Sequence, residues 1–148
     1  MRGTFRELAN AGEIPGPHTP FIPSSQARCT VPMASWDLGR CPDGWADLPK
    51  VLELAKRPNA VIKVSGACTL SREPYPFPDI WDPLARVFDA WRLDRCLWGT
   101  DWTRAFAVVN YEQAVEPFLK TDRLSDTERT TLMGGACAKA YGWSPKKG

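Results

Sequence analysis

The chain has 148 residues, which favours a single domain and is too short for a complete (β/α)₈ barrel of about 250 residues. Hydrophobic residues make up 43% of it and charged residues 24%, a globular composition that excludes the disordered, collagen-like and membrane-spanning classes. The formal net charge is +2 with acids and bases interspersed, so we expect neither nucleic acid nor membrane as a partner.

The lack of a recognisable signal peptide and the pattern of cysteines both predict a cytoplasmic protein. The first residues lack the continuous apolar stretch of a signal peptide. The five cysteines are scattered without any C-x-x-C pair, so we expect neither a disulfide framework nor a structural zinc site. Three of them sit among small or apolar residues, which predicts buried free thiols. A reducing, cytoplasmic location is therefore expected.

Residues 1–43 differ from the rest of the chain. Six prolines fall within residues 11–43, and no stretch of six or more residues keeps a helical or strand period. Proline removes a backbone donor and restricts the residue before it, so this composition favours extended and turn-rich structure. We therefore divide the chain into an irregular, proline-rich segment that is either poorly ordered or non-homologous, residues 1–43, and a folded part, residues 44–148.

The folded part opens with a helix and a strand. Leu48, Val51 and Ala55 recur at helical spacing, Asp47 is the expected cap, and Pro58 ends the helix. Ala60–Ser65 is a short β-branched run that predicts a buried strand.

Two further helix–strand signals follow in the same order. A helix capped by Asp82 leads to a second predicted strand, residues 95–99. A third helix is predicted over Tyr111–Lys120, with Tyr111, Val115, Phe118 and Leu119 facing inward.

The last helical region opens with a capping box between Ser125 and Glu128 and is interrupted near Gly134 and Gly135. Strands that alternate with helices predict a parallel sheet of the α/β class. Two strands cannot bury themselves in such a sheet. Either residues 1–43 supply more strands, or part of the molecule is absent.

Asp101 is the sharpest functional candidate, because in α/β folds functional groups gather just past the carboxyl ends of the strands. It follows the second predicted strand and is flanked by Trp98 and Trp102. A partly desolvated carboxylate in this position can ligate a metal or act as a general base. The alternative is that Asp101 only caps the next turn through a backbone amide.

Two basic residues are candidate substrate-binding groups. Lys63 interrupts an otherwise apolar strand, so it either faces a polar cavity or an acidic partner, or extends to solvent at the strand end. Arg72 lies in the following loop, where it could clamp a carboxylate or simply be solvated. His18 is the single histidine, so a histidine-rich metal site or a Ser-His-Asp triad within this chain is not expected.

Four motifs together resemble the C-terminal part of the amidohydrolase-related family. They are residues 57–66 (RPNAVIKVSG), 75–77 (YPF), 94–102 (DRCLWGTDW) and 124–142 (LSDTERTTLMGGACAKAYG). This family includes lactonases similar to 2-pyrone-4,6-dicarboxylate hydrolase and relatives of aminocarboxymuconate-semialdehyde decarboxylase. The resemblance covers about residues 44–143.

The resemblance implies a hydrolase that acts on a cyclic ester (lactone) or a carboxylated small molecule. It implies that the two predicted strands are the last two of a (β/α)₈ TIM barrel, giving about two βα units. It places Asp101 as metal ligand or catalytic base, and Arg72 and Lys63 near the substrate. A divalent metal, zinc first, is common in the family, although some lactonases are thought to work without one.

The chain also departs from this family. Members carry a His-x-His pair on the first strand and further histidines on middle strands, and this sequence has none of them. Our hypothesis is a truncated or frame-disrupted product with little or no activity alone. The alternative is a non-catalytic interaction module, or a half-barrel that self-associates through exposed tryptophans. The candidates for that surface are Trp81, Trp91, Trp98, Trp102 and Trp143.

Overall fold

The computed structural model describes residues 29–32 and 45–143. Three strands form one parallel sheet in the order β1-β2-β3. They are β1 (Cys29–Pro32), β2 (Ala60–Ser65) and β3 (Cys96–Gly99). In the register, Pro32 lies opposite Lys63 on one side of β2, and Lys63 lies opposite Leu97 on the other side. Lys63 is therefore on the central strand of the sheet.

The helices follow the alternating order that the sequence predicts. They are α1 (Leu48–Leu54), α2 (Trp81–Trp91), α3 (Trp102–Ala105), α4 (Tyr111–Lys120), α5 (Asp126–Thr130) and α6 (Ala136–Tyr141). A π-helical turn at Thr131–Gly135 joins α5 to α6, at the glycine pair that the sequence marks as an interruption. Short 3₁₀ turns occupy Ala67–Leu70, Pro78–Ile80 and Leu93–Arg95. The α/β class is confirmed.

The main hydrophobic core lies between one face of β2 and the helices α1 and α2. Ile62 and Val64 point into it and are fully buried. Trp91 of α2 is also fully buried, and its indole N–H donates a hydrogen bond of 3.2 Å to the carbonyl of Val51 in α1. This hydrogen bond gives the one polar atom of the largest fully buried side chain a partner, which offsets the cost of removing that atom from water.

The opposite face of the sheet is covered only in part. Val61 of β2 and Leu97 of β3 pack there against Ala136 of α6, in a small cluster of buried residues. Side chains alternate between faces along a strand, so Lys63 and Ser65 lie on this same face. α6 therefore borders the part of the sheet surface where Lys63 lies.

The strand β1 was missed by the sequence analysis, which found no strand before residue 44. Its four residues are too few to show a period, and its last residue is a proline, which sequence reasoning treats as a strand breaker. The remainder of residues 1–43 lies outside the described residues, so the division of the chain at residue 43 stays a prediction.

Asp47 occupies the predicted N-cap position of α1, whereas the predicted cap at Asp82 is wrong. The Asp47 carboxylate makes no cap hydrogen bond and instead accepts one from Lys50 Nζ at 2.6 Å. The α2 helix begins at Trp81, so Asp82 lies within its first turn. The predicted capping box between Ser125 and Glu128 is confirmed, since each side chain binds the other residue's backbone amide.

The bounds of α4 agree with the prediction, and so does the burial of Phe118, but the predicted inward positions of Tyr111 and Leu119 are wrong. Tyr111 is 53% exposed and Leu119 49% exposed, whereas Ala114 and Phe118 are buried. The Phe118 ring lies 5.4 Å from the Trp81 ring, so this aromatic contact sets how the helix is rotated. Among the described residues, no helix is long and apolar enough to cross a membrane.

Candidate functional site

A cavity of about 260 Å³ opens at the carboxyl ends of β2 and β3. We call it the strand-end cavity. Its lining residues come from both strands, from the turn after β3 and from α6. They are Lys63, Ser65, Leu97, Trp98, Gly99, Asp101, Cys137 and Tyr141. The structure thus brings two of the three predicted site residues, Lys63 and Asp101, to one cavity.

Asp101 is held by its backbone, and its carboxylate has no strong partner. The residue has a left-handed conformation with φ +49°, and its carbonyl accepts hydrogen bonds from the amides of Arg104 and Ala105 at 2.9 and 3.0 Å. The side chain makes no cap hydrogen bond to α3, and the Thr103 hydroxyl lies 3.4 Å from Oδ1. The capping alternative therefore fails at this residue, and the carboxylate is available to the cavity.

Lys63 is exposed even though it lies on the central strand. Within residues 45–143 the structure gives its ammonium group neither a hydrogen bond nor an ion pair, and it does not pair with Asp101. Of the alternatives that the sequence leaves open, this geometry favours a lysine that faces a polar, solvent-open cavity. An ammonium without a protein partner is suited to binding an anion.

Arg72 lies apart from these two residues. It is exposed in the loop between two 3₁₀ turns, and its backbone amide donates to Asp79 Oδ2 at 2.8 Å. The Ser71 hydroxyl binds the other oxygen of the same carboxylate. These two hydrogen bonds fold the loop onto Asp79, and Arg72 does not line the strand-end cavity. Its role in substrate binding stays a prediction.

Cys137 and Tyr141 are cavity residues that sequence reasoning missed. Both lie on α6 and are exposed. Their spacing of four residues places them on the same helix face, which was the available signal. Nothing in the local sequence indicates that this face of α6 lies beside the sheet, so the two side chains could not be assigned to a site.

Cys68 and Cys96 are buried and are not nucleophiles. Burial raises the pKa of the Cys68 thiol, with a further contribution from the negative charge of Asp101. The 3₁₀ turn that contains Cys68 also contacts α3, which begins directly after Asp101. Burial also raises the pKa of Cys96 to about 12. Both thiols therefore remain protonated near neutral pH.

The described residues do not by themselves form a metal site. No group of three or more histidine, cysteine, aspartate and glutamate side chains is positioned to hold an ion within the described ranges. Asp101 is the single carboxylate lining the strand-end cavity, and the Lys63 ammonium lines it too. One carboxylate beside a cation is a poor donor set for a divalent ion, which needs several ligands.

The family model for amidohydrolases (Amidohydro_2) matches residues 29–143, a range that contains every strand and helix of the described residues. The chain belongs to this amidohydrolase family. The match begins at β1, so the relationship extends further toward the amino terminus than the motifs from residue 57 onward. A comparison with curated proteins gives no match.

Solved structures with a similar fold come from bacteria. An amidohydrolase from Burkholderia multivorans, with bound HEPES, matches with 24% identity and a TM-score of 0.64, covering 80% of this chain and 46% of that one. Another crystal form of it has bound zinc and matches with a TM-score of 0.62, 24% identity, and coverage of 80% and 45%.

A third similar structure is a proposed 2-pyrone-4,6-dicarboxylic acid hydrolase from Pseudomonas putida. It has 26% identity and a TM-score of 0.53, and the match covers 70% of this chain and 37% of that one. The chain therefore spans less than half the length of the structures it matches.

Proposed function

We propose that the chain is a hydrolase of a cyclic ester or of another carboxylated small molecule, acting in the strand-end cavity. The observation that carries this proposal is the joint presence of Lys63 and Asp101 in one cavity at the carboxyl ends of parallel strands. Family membership supplies the reaction class. We further propose that the three strands are a section of a (β/α)₈ barrel.

Each of the two residues has a distinct task in this reaction. The Lys63 ammonium binds the carboxylate of the substrate and places its ester carbonyl near Asp101. The Asp101 carboxylate accepts a proton from a water molecule as the water oxygen bonds to the carbonyl carbon. The ring C–O bond then breaks, and the departing oxygen takes the proton back from Asp101. The product is a hydroxy acid.

A metal is not assigned to any step. Asp101 could supply one ligand, but the remaining ligands would have to come from outside the described residues. The described residues also provide no group that polarises the substrate carbonyl as a metal does. We therefore propose that the chain alone is weakly active.

The experiment that tests this function compares lactone hydrolysis by the wild type and by Asp101→Asn. We expect the variant to lose about 100-fold or more of the rate, because general base catalysis contributes at least that much. Asp89→Asn, on the exposed face of α2, is the matched control and should keep the wild-type rate. Equal rates for wild type and Asp101→Asn would refute the role of Asp101, and no hydrolysis of any lactone by the wild type would refute the function.

Self-association is a second candidate function, because an apolar patch is exposed beside the strand-end cavity. Trp102, Phe106, Val108 and Tyr111 are 39%, 62%, 61% and 53% exposed and line a wide groove of about 590 Å³. None of the described residues that line the groove is charged, so two copies could meet on this part of the surface without burying a charge from it. Sedimentation velocity tests this, with Phe106→Glu expected to convert a dimer to a monomer.

Two of the tryptophans that the sequence analysis assigned to this surface belong to the core instead. Trp91 is fully buried and Trp81 is 8% exposed. Trp91 packs against α1 and Trp81 packs against α4. These contacts between helices could not be read from the local sequence.

A further inference from the structure

The helix α6 forms one wall of the strand-end cavity, and this wall limits what the cavity can bind. We propose that Tyr141 and Cys137 on this wall, together with Lys63, restrict the ligand to a small molecule that has one ring and a single carboxylate. This inference rests on the proposed function for the location of the site. It goes further, because it assigns a charge and a size to the substrate and a role to α6.

The charge of the ligand follows from the lining residues. Among the described residues that line the strand-end cavity, Lys63 is the single cation and Asp101 is the single anion. One carboxylate can pair with Lys63. A second carboxylate on the same molecule would find no cation in this lining and would be repelled by Asp101. Arg72, the other predicted carboxylate-binding residue, does not line the cavity.

The size of the ligand follows from the volume and from how firmly the wall is held. The cavity volume of about 260 Å³ is below the lower end, about 300 Å³, of ordinary small-molecule sites. Ala136 anchors the start of α6 against Val61 and Leu97, and the Lys139 ammonium pairs with Asp94 Oδ2 at 2.9 Å. Ala136 thus holds α6 against the sheet and Lys139 holds it against the 3₁₀ turn before β3, so moving α6 outward to enlarge the cavity would break these contacts.

Tyr141 supplies both shape and a hydrogen-bond donor. Its ring lies one helical turn beyond Cys137, so the two side chains form a continuous wall with an apolar ring, a thiol and one hydroxyl. We assign the hydroxyl to the second oxygen of the carboxylate that Lys63 binds. Tyr141 is therefore a specificity-determining residue.

Binding can be measured independently of hydrolysis, because Cys137 is exposed and lines the same cavity. The probes are 2-pyrone-5-carboxylate, with one carboxylate, and 2-pyrone-4,6-dicarboxylate, with two. Protection of Cys137 from iodoacetamide is followed at the peptide level by mass spectrometry, which separates it from the other cysteines. We expect the monocarboxylate to protect Cys137 at about ten-fold lower concentration than the dicarboxylate, since an unpaired charge costs at least that much.

Two variants of Tyr141 and one of Lys63 sharpen the test. Tyr141→Phe should weaken protection by the monocarboxylate by about five-fold, as expected for one hydrogen bond. Tyr141→Arg adds a second cation and should reverse the preference in favour of the dicarboxylate. Lys63→Met should abolish protection by either probe. Leu119→Arg and Lys56→Met, both exposed and outside the lining of this cavity, are the controls and should behave as wild type.

The results separate this inference from the proposed function. Protection by the monocarboxylate without its hydrolysis would support the ligand assignment and refute the hydrolase. Equal protection by both probes, or no protection by either, would overturn the ligand assignment. Hydrolysis of the dicarboxylate at the rate of the monocarboxylate would overturn it as well, while leaving the hydrolase proposal intact.

Discussion

The guanidinium carbon of Arg95 lies over the ring of Trp91, 5.3 Å from its centroid. From this position the guanidinium donates to five backbone carbonyls. The three shortest hydrogen bonds go to Trp91 at 2.8 Å and to Arg57 and Ala55 at 3.0 Å, and the other two go to Ala60 and Ala90 at 3.5 Å. These carbonyls belong to the end of α2, to the turn that joins α1 to β2 and to the first residue of β2. One planar cation thus ties two helix ends to the amino end of the sheet.

Replacing Arg95 by lysine should therefore destabilise the fold. A lysine keeps the charge but loses the forked donor geometry and most of the stacking on Trp91, so we expect the free energy of unfolding to fall by about 2 kcal/mol. Urea denaturation measures this. Arg92→Lys is the control, because the Arg92 side chain is 81% exposed and reaches Asp94 only at 3.7 Å. Equal losses in the two variants would contradict the role of Arg95.

The sequence predicted those elements whose signals are local. The bounds of β2 agree because Pro58 and Gly66 enclose a β-branched run, and the capping box at Ser125 was visible from residue types alone. The strand β1 could not be found, since four residues become a strand only by pairing with β2. Residues such as proline, glycine and helix caps therefore predict the bounds of single helices and strands, whereas the pairing of strands depends on tertiary contacts.

The candidate site was likewise predictable only where its residues have a local signal in the sequence. Asp101 and Lys63 could be chosen because strand ends are where α/β folds place functional groups. The contribution of Tyr141 could not, since it depends on α6 packing beside Val61 and Leu97, and no local pattern encodes that contact. For the same reason the sequence could not show that Arg72 folds toward Asp79.

The stability of variants at position 101 should depend on how readily the new residue adopts a left-handed backbone conformation. Its φ of +49° lies in the left-handed region, which costs about 1–2 kcal/mol for residues with a Cβ and little for glycine. We expect the free energy of unfolding of Asp101→Gly to be about 1 kcal/mol higher than that of Asp101→Ala. Thermal or urea denaturation measures this difference. Neither variant should be active. A less stable Asp101→Gly would show that the left-handed conformation is not retained in solution.

The carboxylate of Asp79 should make stability depend on acid pH. Burial raises the pKa of Asp79, but hydrogen bonds from the Ser71 hydroxyl and the Arg72 amide outweigh it and hold the pKa below its ordinary value of 3.8. A pKa lowered by folding contributes stability that is present above pH 3.8 and is lost as the pH falls through the folded-state value.

The measurement is the free energy of unfolding between about pH 6 and pH 2. We expect Asp79→Asn to reduce the decline in stability below about pH 4, and Ser71→Ala to reduce it in the same sense by a smaller amount. Asp89→Asn on the exposed face of α2 should keep the wild-type profile. An unchanged acid decline in Asp79→Asn would show that other carboxylates are responsible for it.

The described cysteines should differ sharply in their reactivity. Burial raises the pKa of Cys96 to about 12, so at pH 8 only about one thiol in ten thousand is the nucleophilic thiolate. Cys137 is exposed on α6. We expect iodoacetamide to label Cys137 at least about 100-fold faster than Cys96 in the native protein, and to label both at similar rates in urea. Rapid native labelling of Cys96 would mean that α2 and β3 do not stay packed, because these two elements exclude water from its thiol.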